Sequence, residues 1–157
     1  DMIALCQTKG PVDSVQPRYN ALQRDPEADL LPFCVEQKIG VLAYSPIAQG
    51  LLTGKVSMDR TFPEGDIRNQ NPLFAAANRR AVLAMLERVR PIAEGYNITL
   101  GQLFTAWVTH QPGLTTALVG ARNPEQAREN AVAGTVELRV ADVAAIRKEV
   151  EALSATA

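Results

Sequence analysis

The sequence predicts an α/β fold built on parallel strands, and three observations predict it. Short apolar strands alternate with amphipathic helices in the order β, α, β, long loop, α, α, β, α, α, which implies right-handed crossovers. Residues 41–44 are wholly apolar, the pattern of a strand buried on both faces of a parallel sheet. The chain has 157 residues, 46% apolar and 21% charged, the size and balance of one soluble globular domain.

Each element has a local reason. Residues 1–9 set Ile3, Leu5 and Cys6 among polar neighbours, like the tail of an amphipathic helix, and Gly10-Pro11 stops it. Val12, Ser14 and Val15 predict a short strand ending near Gln16-Pro17, and a polar loop over 18–26 follows. A helix over 29–38 places Leu30, Leu31, Cys34 and Val35 on one face, with Asp29 as its cap, Pro32 in the tolerant first turn and Gly40 ending the segment. After the strand at 41–44 a loop runs from Ser45 to about Pro72, and loops of that length inside a domain are often functional. A helix over 74–96 carries Val82, Leu83, Leu86, Val89, Ile92 and Ala93 on one stripe, with Pro91 as a point of kinking or splitting. Thr99 and Gln102 have capping-box spacing for a helix over 99–110, whose apolar side holds Leu103, Ala106 and Trp107. A strand at 115–119, a helix over 123–132 with Pro124 at its first position, and a final helix over 140–153 complete the order. Three strands cannot close an eight-stranded barrel, so two open sheet edges are expected.

Composition narrows the classes of function. A net charge of −1 gives no reason to expect nucleic acid or an anionic membrane as partner. Cys6 and Cys34 form no CxxC pair and only one His is present, which argues against a disulfide framework or a metal site and for two buried thiols. No apolar run reaches the ~20 residues of a membrane span, and no signal peptide opens the chain. A cytoplasmic location is expected, although a chain that opens as if in mid-helix carries little targeting information.

Ligands of parallel α/β folds bind beyond the C-terminal ends of the strands, and three segments fall there. In the first, Gln16 carries both a donor and an acceptor and can pair with a carboxamide, or make a structural bond to the backbone. In the second, Tyr44 can stack on a flat ring, and the glycine-bearing run 50–54 before Lys55 can wrap phosphates; core capping and loop packing are the alternatives. In the third, Gly120 permits close backbone approach, the helix opening at Asn123 favours an anion, and Arg122 can grip a phosphate. There the alternative is a simple Asn123 cap beside a solvated Arg122.

Together these segments resemble the aldo-keto reductase family, in its bacterial branch related to potassium-channel β subunits. The matching text is VQPRYN at 15–20, LAYSPIAQGLLTGK at 42–55, TFPEGDIR at 61–68, the helix at 100–112, and GARNPEQARENA at 120–131. The resemblance implies the C-terminal portion of a (β/α)8 TIM barrel, strands six to eight with their helices. Residues 1–157 would then be a partial reductase domain without the N-terminal half of the barrel. It implies NADPH as cofactor, a small-molecule carbonyl substrate, and reduction of aldehydes or ketones by hydride transfer. Gln16 falls where the nicotinamide carboxamide is bound and Tyr44 where an aromatic stacks on the ring. Ser45, Pro46, Ile47, Gln49, Leu51 and Lys55 lie on the stretch that covers the pyrophosphate. Gly120 and Arg122 fall at the adenosine 2′-phosphate, with Gln126, Glu129 and Asn130 along the adenosine pocket.

The family's catalytic Asp, Tyr, Lys and His come from earlier strands, so no catalytic residue is assigned here and the chain alone is expected to be inactive. His110, at a helix end, matches a structural position of the family and suits the helix dipole. Two other readings stand beside this one. A non-catalytic nucleotide-binding or interaction module would use the open edges to pair with the missing barrel half or a second copy. A phosphate-binding barrel enzyme acting on sugar phosphates would use the same strand-eight site. Phe62 and Phe74 are placed either on the substrate pocket or, more simply, in packing.

Overall fold

A computed structural model describes residues 2–154 of the chain, so Asp1 of the first expected helix and residues 155–157 lie outside it. Its sheet has three parallel strands in the order β1 (Ser14–Val15), β2 (Gly40–Tyr44), β3 (Thr116–Leu118). Ser14 pairs with Gly40, and Leu42 with Thr116. Thr115 stitches β3 to β2 twice, its N–H donating to the Val41 carbonyl and its hydroxyl accepting from the Val41 N–H, each at 2.9 Å.

Side chains alternate across a strand, and here the two faces differ. Val41 and Ala43 are fully buried beneath the helices, whereas Tyr44 is 42% exposed and Leu118 36% exposed. The expectation that 41–44 is buried on both faces is therefore corrected: helices cover one face of β2, and its other face, toward which Tyr44 points, is open.

Among the described residues, six α-helices accompany the sheet: α1 (Met2–Gln7), α2 (Leu30–Gln37), α3 (Ala76–Gly95), α4 (Leu100–Thr109), α5 (Pro124–Val132) and α6 (Val140–Ser154). The centre of the core is α4, whose Leu103, Phe104, Ala106, Trp107 and Val108 are fully buried. Its capping box forms as the spacing predicts, with Gln102 N donating to Thr99 Oγ1 and Thr99 N donating to Gln102 Oε1. Against α4 lie α3 and α6, with Met85, Leu86, Val89 and Ile146 buried between them. Pro91 neither splits nor ends α3; it sits on the exposed side, where the carbonyl it leaves unpaired can turn to water.

Three further expectations are revised. Lys38, not Gly40, closes α2: it adopts the left-handed conformation (φ 57°) and its N–H reaches the Cys34 and Val35 carbonyls, which leaves Gly40 free to begin β2. Cys34 is buried as expected and burial pushes its thiol pKa up, but Cys6 is exposed because α1 buries no residue. The loop after β2 is not featureless, since short 3-10 turns occur at Ala48–Thr53, Ile67–Asn69 and Pro72–Phe74. Gly113 shows why a turn before β3 needs glycine: its φ is +85°, and a Cβ there would lie 3.2 Å from Val35 Cγ2.

A polar knot ties the loop after β1 to the final helix. Tyr19 donates its hydroxyl to Glu27, and Arg147 on α6 forks onto both Glu27 oxygens at 2.9 Å while also donating to Gln111. Burial works to raise the Glu27 pKa, but the bonds from Arg147 and Tyr19 outweigh it and hold the carboxyl below its usual 4.5. A depressed carboxylate stabilises the fold above its unfolded pKa, and that stability drains away as pH falls through the lower folded value. The side chains are about a third exposed (29% and 30%), so the effect is discounted for solvent screening. Glu27→Gln is expected to cost about 1 kcal/mol at neutral pH, with the gap to wild type closing below about pH 4. Urea denaturation across that range checks it; a constant gap would remove Glu27 from the acid response.

Candidate functional site

A cleft of about 620 Å³ opens beyond the C-terminal ends of β2 and β3. One wall is the loop after β2. That loop reverses sharply, through left-handed backbone at Ser45 (φ 55°), Ala48 (φ 48°), Gln49 (φ 56°) and Gly50 (φ 93°). Three of those four residues are not glycine, so the turn must be held from outside. Fully buried Asn20 donates to the Ser45 carbonyl at 3.1 Å, Asn71 donates to Gln49 Oε1 at 2.9 Å, and Thr53 donates to the Gly50 carbonyl at 2.7 Å.

The other wall is the turn from Gly120 into α5. Asn123 caps the helix, accepting from Gln126 N at 2.8 Å, and Gln126 Oε1 in turn accepts from Arg122 N at 2.9 Å. Asn130 donates to the Gly120 carbonyl, and Gln102 of α4 donates to the Glu129 carbonyl at 2.8 Å, locking α5 to the core. Two of the amides at the helix entrance are thus used internally, so Asn123 does act as a cap and an anion here depends more on the Arg122 side chain than on the helix end. The space that a Gly120 Cβ would enter is open.

Four cationic residues line the cleft: Lys55, Arg60, Arg68 and Arg122. Lys55 reaches Glu129 on the opposite wall at 3.6 Å. Arg68 forks onto Asp66 at 2.9 and 2.6 Å, and this guanidinium holds the Asp66 carboxyl down to about 2. Its guanidinium also lies 4.1 Å from the centre of the Phe62 ring, which meets Phe74 edge-on at 5.4 Å.

Of the residues singled out in the sequence, Ile47, Gln49, Lys55, Gly120, Arg122, Gln126, Glu129 and Asn130 converge on this cleft. Gln16, Tyr44, Ser45, Pro46 and Leu51 do not line it. Pro46 and Leu51 are buried in packing, so neither offers its side chain to a ligand. Gln16 is exposed just past β1, beside the strand that ends in Tyr44; Tyr44 N donates to the Pro17 carbonyl at 3.0 Å and its own carbonyl accepts from Tyr19 N. Phe62, which the sequence leaves between the substrate pocket and packing, lines the cleft, and Arg60, Arg68 and Gln102 join it without a sequence signal that assigns them there. Phe74 is buried, in packing. His110 caps α4, its Nδ1 2.8 Å from the Ala106 carbonyl and its Nε2 accepting from Leu138 N.

Known proteins are similar to this chain in sequence and fold. A profile of the aldo/keto reductase family matches residues 2–151. An NADH-specific methylglyoxal reductase of Escherichia coli is 39% identical over 144 residues, covering 92% of this chain and 44% of that protein. The aldo-keto reductase yakc [NADP(+)] of Schizosaccharomyces pombe is 33% identical over 141 residues, 88% of this chain and 42% of its own length. The solved structure of a glycerol dehydrogenase from Gluconobacter oxydans superposes with a TM-score of 0.87 at 30% identity, over 94% of this chain and 45% of that one. The chain spans less than half the length of these relatives. The parallel strands with helices on one face are a portion of the relatives' (β/α)8 barrel, and the chain belongs to the aldo/keto reductase family.

Proposed function

We propose that this chain is the cofactor-binding part of an NADPH-dependent reductase that converts aldehydes and ketones to alcohols. The observation that carries the reading is the convergence of Lys55, Arg60, Arg68 and Arg122 on one cleft beyond the strand ends, with a volume of about 620 Å³. That is the size and place of a cofactor site in such folds. The donor set fits a dinucleotide that carries a 2′-phosphate: Arg122 beside the open Gly120 for that group, Lys55 and Arg68 for the pyrophosphate, and Gln126, Glu129 and Asn130 for the adenosine. Gln49 and Ile47 shape the covering turn, with Ser45, Pro46 and Leu51 as its frame. Tyr44, on the open face of β2, stacks on the nicotinamide, and Gln16 meets its carboxamide.

When bound, the cofactor would supply hydride to a small carbonyl substrate. This chain's own residues bind and orient it. Proton donation to the carbonyl oxygen needs a tuned acid within reach, and we assign that acid to other strands of the barrel, so the chain alone holds cofactor without turnover. The open edges of the sheet, at β1 and β3, would pair with those strands, or with a second copy. No described helix is long and apolar enough to cross a membrane. The reading implies the cytoplasm, with neither nucleic acid nor membrane as partner.

Titrating NADPH into the chain, with NADH alongside, tests the proposal. Saturable binding that prefers NADPH is expected. A preference for NADH would support a reductase of the NADH-using kind, as one relative is named, equal affinities would deny a site for the 2′-phosphate, and no binding by the folded chain would refute a preformed site. Tyr44→Ala is expected to weaken NADPH roughly fivefold, the worth of a ring stack. Unchanged affinity would return Tyr44 to packing alone.

A further inference from the structure

Arg79 stands behind the cleft, in the first turn of α3. It is not among the cleft's lining residues, yet it makes more hydrogen bonds to the wall of the cleft than any lining cation does. Its Nη1 donates to the carbonyls of Ser57 (3.2 Å), Met58 (3.2 Å) and Arg60 (2.9 Å), and its Nη2 to the carbonyl of Phe74 (3.1 Å). Its Nε is buried without a hydrogen-bond partner among the described residues. The same guanidinium lies 5.8 Å from the centre of the Phe62 ring, and Arg68 lies 4.1 Å from that ring.

Apart from Arg79, the segment is held by buried Val56, by Phe62 packed edge-on to Phe74, and by Asn69 Nδ2 donating to the Pro63 carbonyl at 2.8 Å, which leaves the carbonyls of Met58 and Arg60 to Arg79. From Lys55 to Asp66 the backbone forms neither helix nor strand. Ordering such a segment opposes conformational entropy at every residue, and its few internal turns offset only part of it. A planar, permanently charged fork that donates to several carbonyls at once is suited to the task, because hydrogen bonds from a charged donor are about twice as strong as neutral ones.

We propose that Arg79 is the positioning residue of the cleft. It fixes the wall that carries Arg60, Phe62 and Arg68 before any ligand arrives, and so presets the cations that a phosphate-bearing cofactor meets. Preset walls raise affinity by removing the ordering that binding would otherwise require. The inference rests on the nucleotide-binding reading for its consequence, but not for its geometry.

Amide hydrogen exchange on wild type, Arg79→Met and Arg79→Lys, paired with NADPH release measured by stopped flow, tests it. In Arg79→Met, the Arg60 amide, which donates to the Ser57 carbonyl at 3.2 Å, is expected to exchange roughly tenfold faster or more while the amides of α4 stay at wild-type rates. NADPH is expected to leave roughly tenfold faster, with association changed by less than about threefold. Arg79→Lys keeps the charge but not the fork, and falls between the two; it carries the test if the methionine variant does not fold. Wild-type protection at Arg60, or protection lost equally in α4, overturns the proposal. So does unchanged NADPH release from a variant whose loop is loosened. Loosened loops together with no NADPH binding by wild type would sink the cofactor reading and leave the positioning role standing.

Discussion

Replacing Trp107 by alanine is expected to remove about 4 kcal/mol of stability, the usual range for deleting a large buried aromatic. Trp107 is fully buried, and its ring is the meeting point of three parts of the chain. It stacks on Tyr19 from the loop after β1, with ring centres 6.3 Å apart and planes 4° from parallel. Its indole N–H donates to the Val143 carbonyl of α6 at 3.2 Å, and the Arg147 guanidinium of the same helix lies 5.5 Å from the ring centre. Removing it leaves a cavity, takes one donor from the Val143 carbonyl, and leaves the polar knot without its floor. Against the ~5–15 kcal/mol by which domains are stable, the variant sits near the folding threshold. Trp107→Phe keeps most of the ring and loses the N–H, and is expected to cost about 1–2 kcal/mol. Urea denaturation of the two variants measures both; an alanine loss below about 1.5 kcal/mol would mean that the site collapses and the ring is not the keystone.

Arg122→Ala is expected to weaken NADPH roughly 30-fold and NADH by less than about twofold, since a charged hydrogen-bonded contact to phosphate is worth about 2 kcal/mol. The side chain is exposed, but its backbone is fixed: Arg122 N is held by Gln126, and the preceding Gly120 carbonyl by Asn130. The arginine therefore starts from a fixed base. Arg122→Lys retains charge without the two-pronged geometry and should recover only part of the loss. Calorimetric titrations with both cofactors decide it, and equal losses for NADPH and NADH would deny Arg122 the 2′-phosphate. One relative is named NADH-specific and another is named for NADP(+), so membership of the family does not by itself choose the cofactor.

Periodicity and capping residues made most of the fold legible. The stripe of Val82, Leu86 and Val89, the Thr99–Gln102 box and Asn123 before Pro124 all mark elements that the structure contains, because each rests on contacts within a few residues. Failures came where the deciding contact is distant or unusual. Gly40 looked like the stop of α2, yet Lys38 adopts the left-handed conformation itself. Residues 41–44 looked buried on both faces because apolar content says nothing of whether a second layer is present. In the site, the residues around Gly120 and Lys55 could be found from glycines and charge at strand ends. Arg60 and Arg68 could not, since they reach the cleft through a loop anchored by Arg79, over 10 residues farther along the chain. Arg68 ends the TFPEGDIR run at 61–68 that carries part of the resemblance, but neither that run nor a bare Asp-x-Arg assigns it to the cleft.

The ion pair between Lys55 and Glu129 gives the cleft an internal rival for any anion it receives. A phosphate arriving at Lys55 takes the ammonium from a carboxylate of the same chain, so that contact is an exchange of partners and not a new attraction. The displaced Glu129 is then free to accept a donor from the ligand's base, while the two walls lose the link that spanned them. Added salt loosens the carboxylate's hold and the phosphate's hold together. Affinity should consequently fall less steeply with ionic strength than four unpaired cations would dictate, and Glu129→Gln should make that dependence steeper.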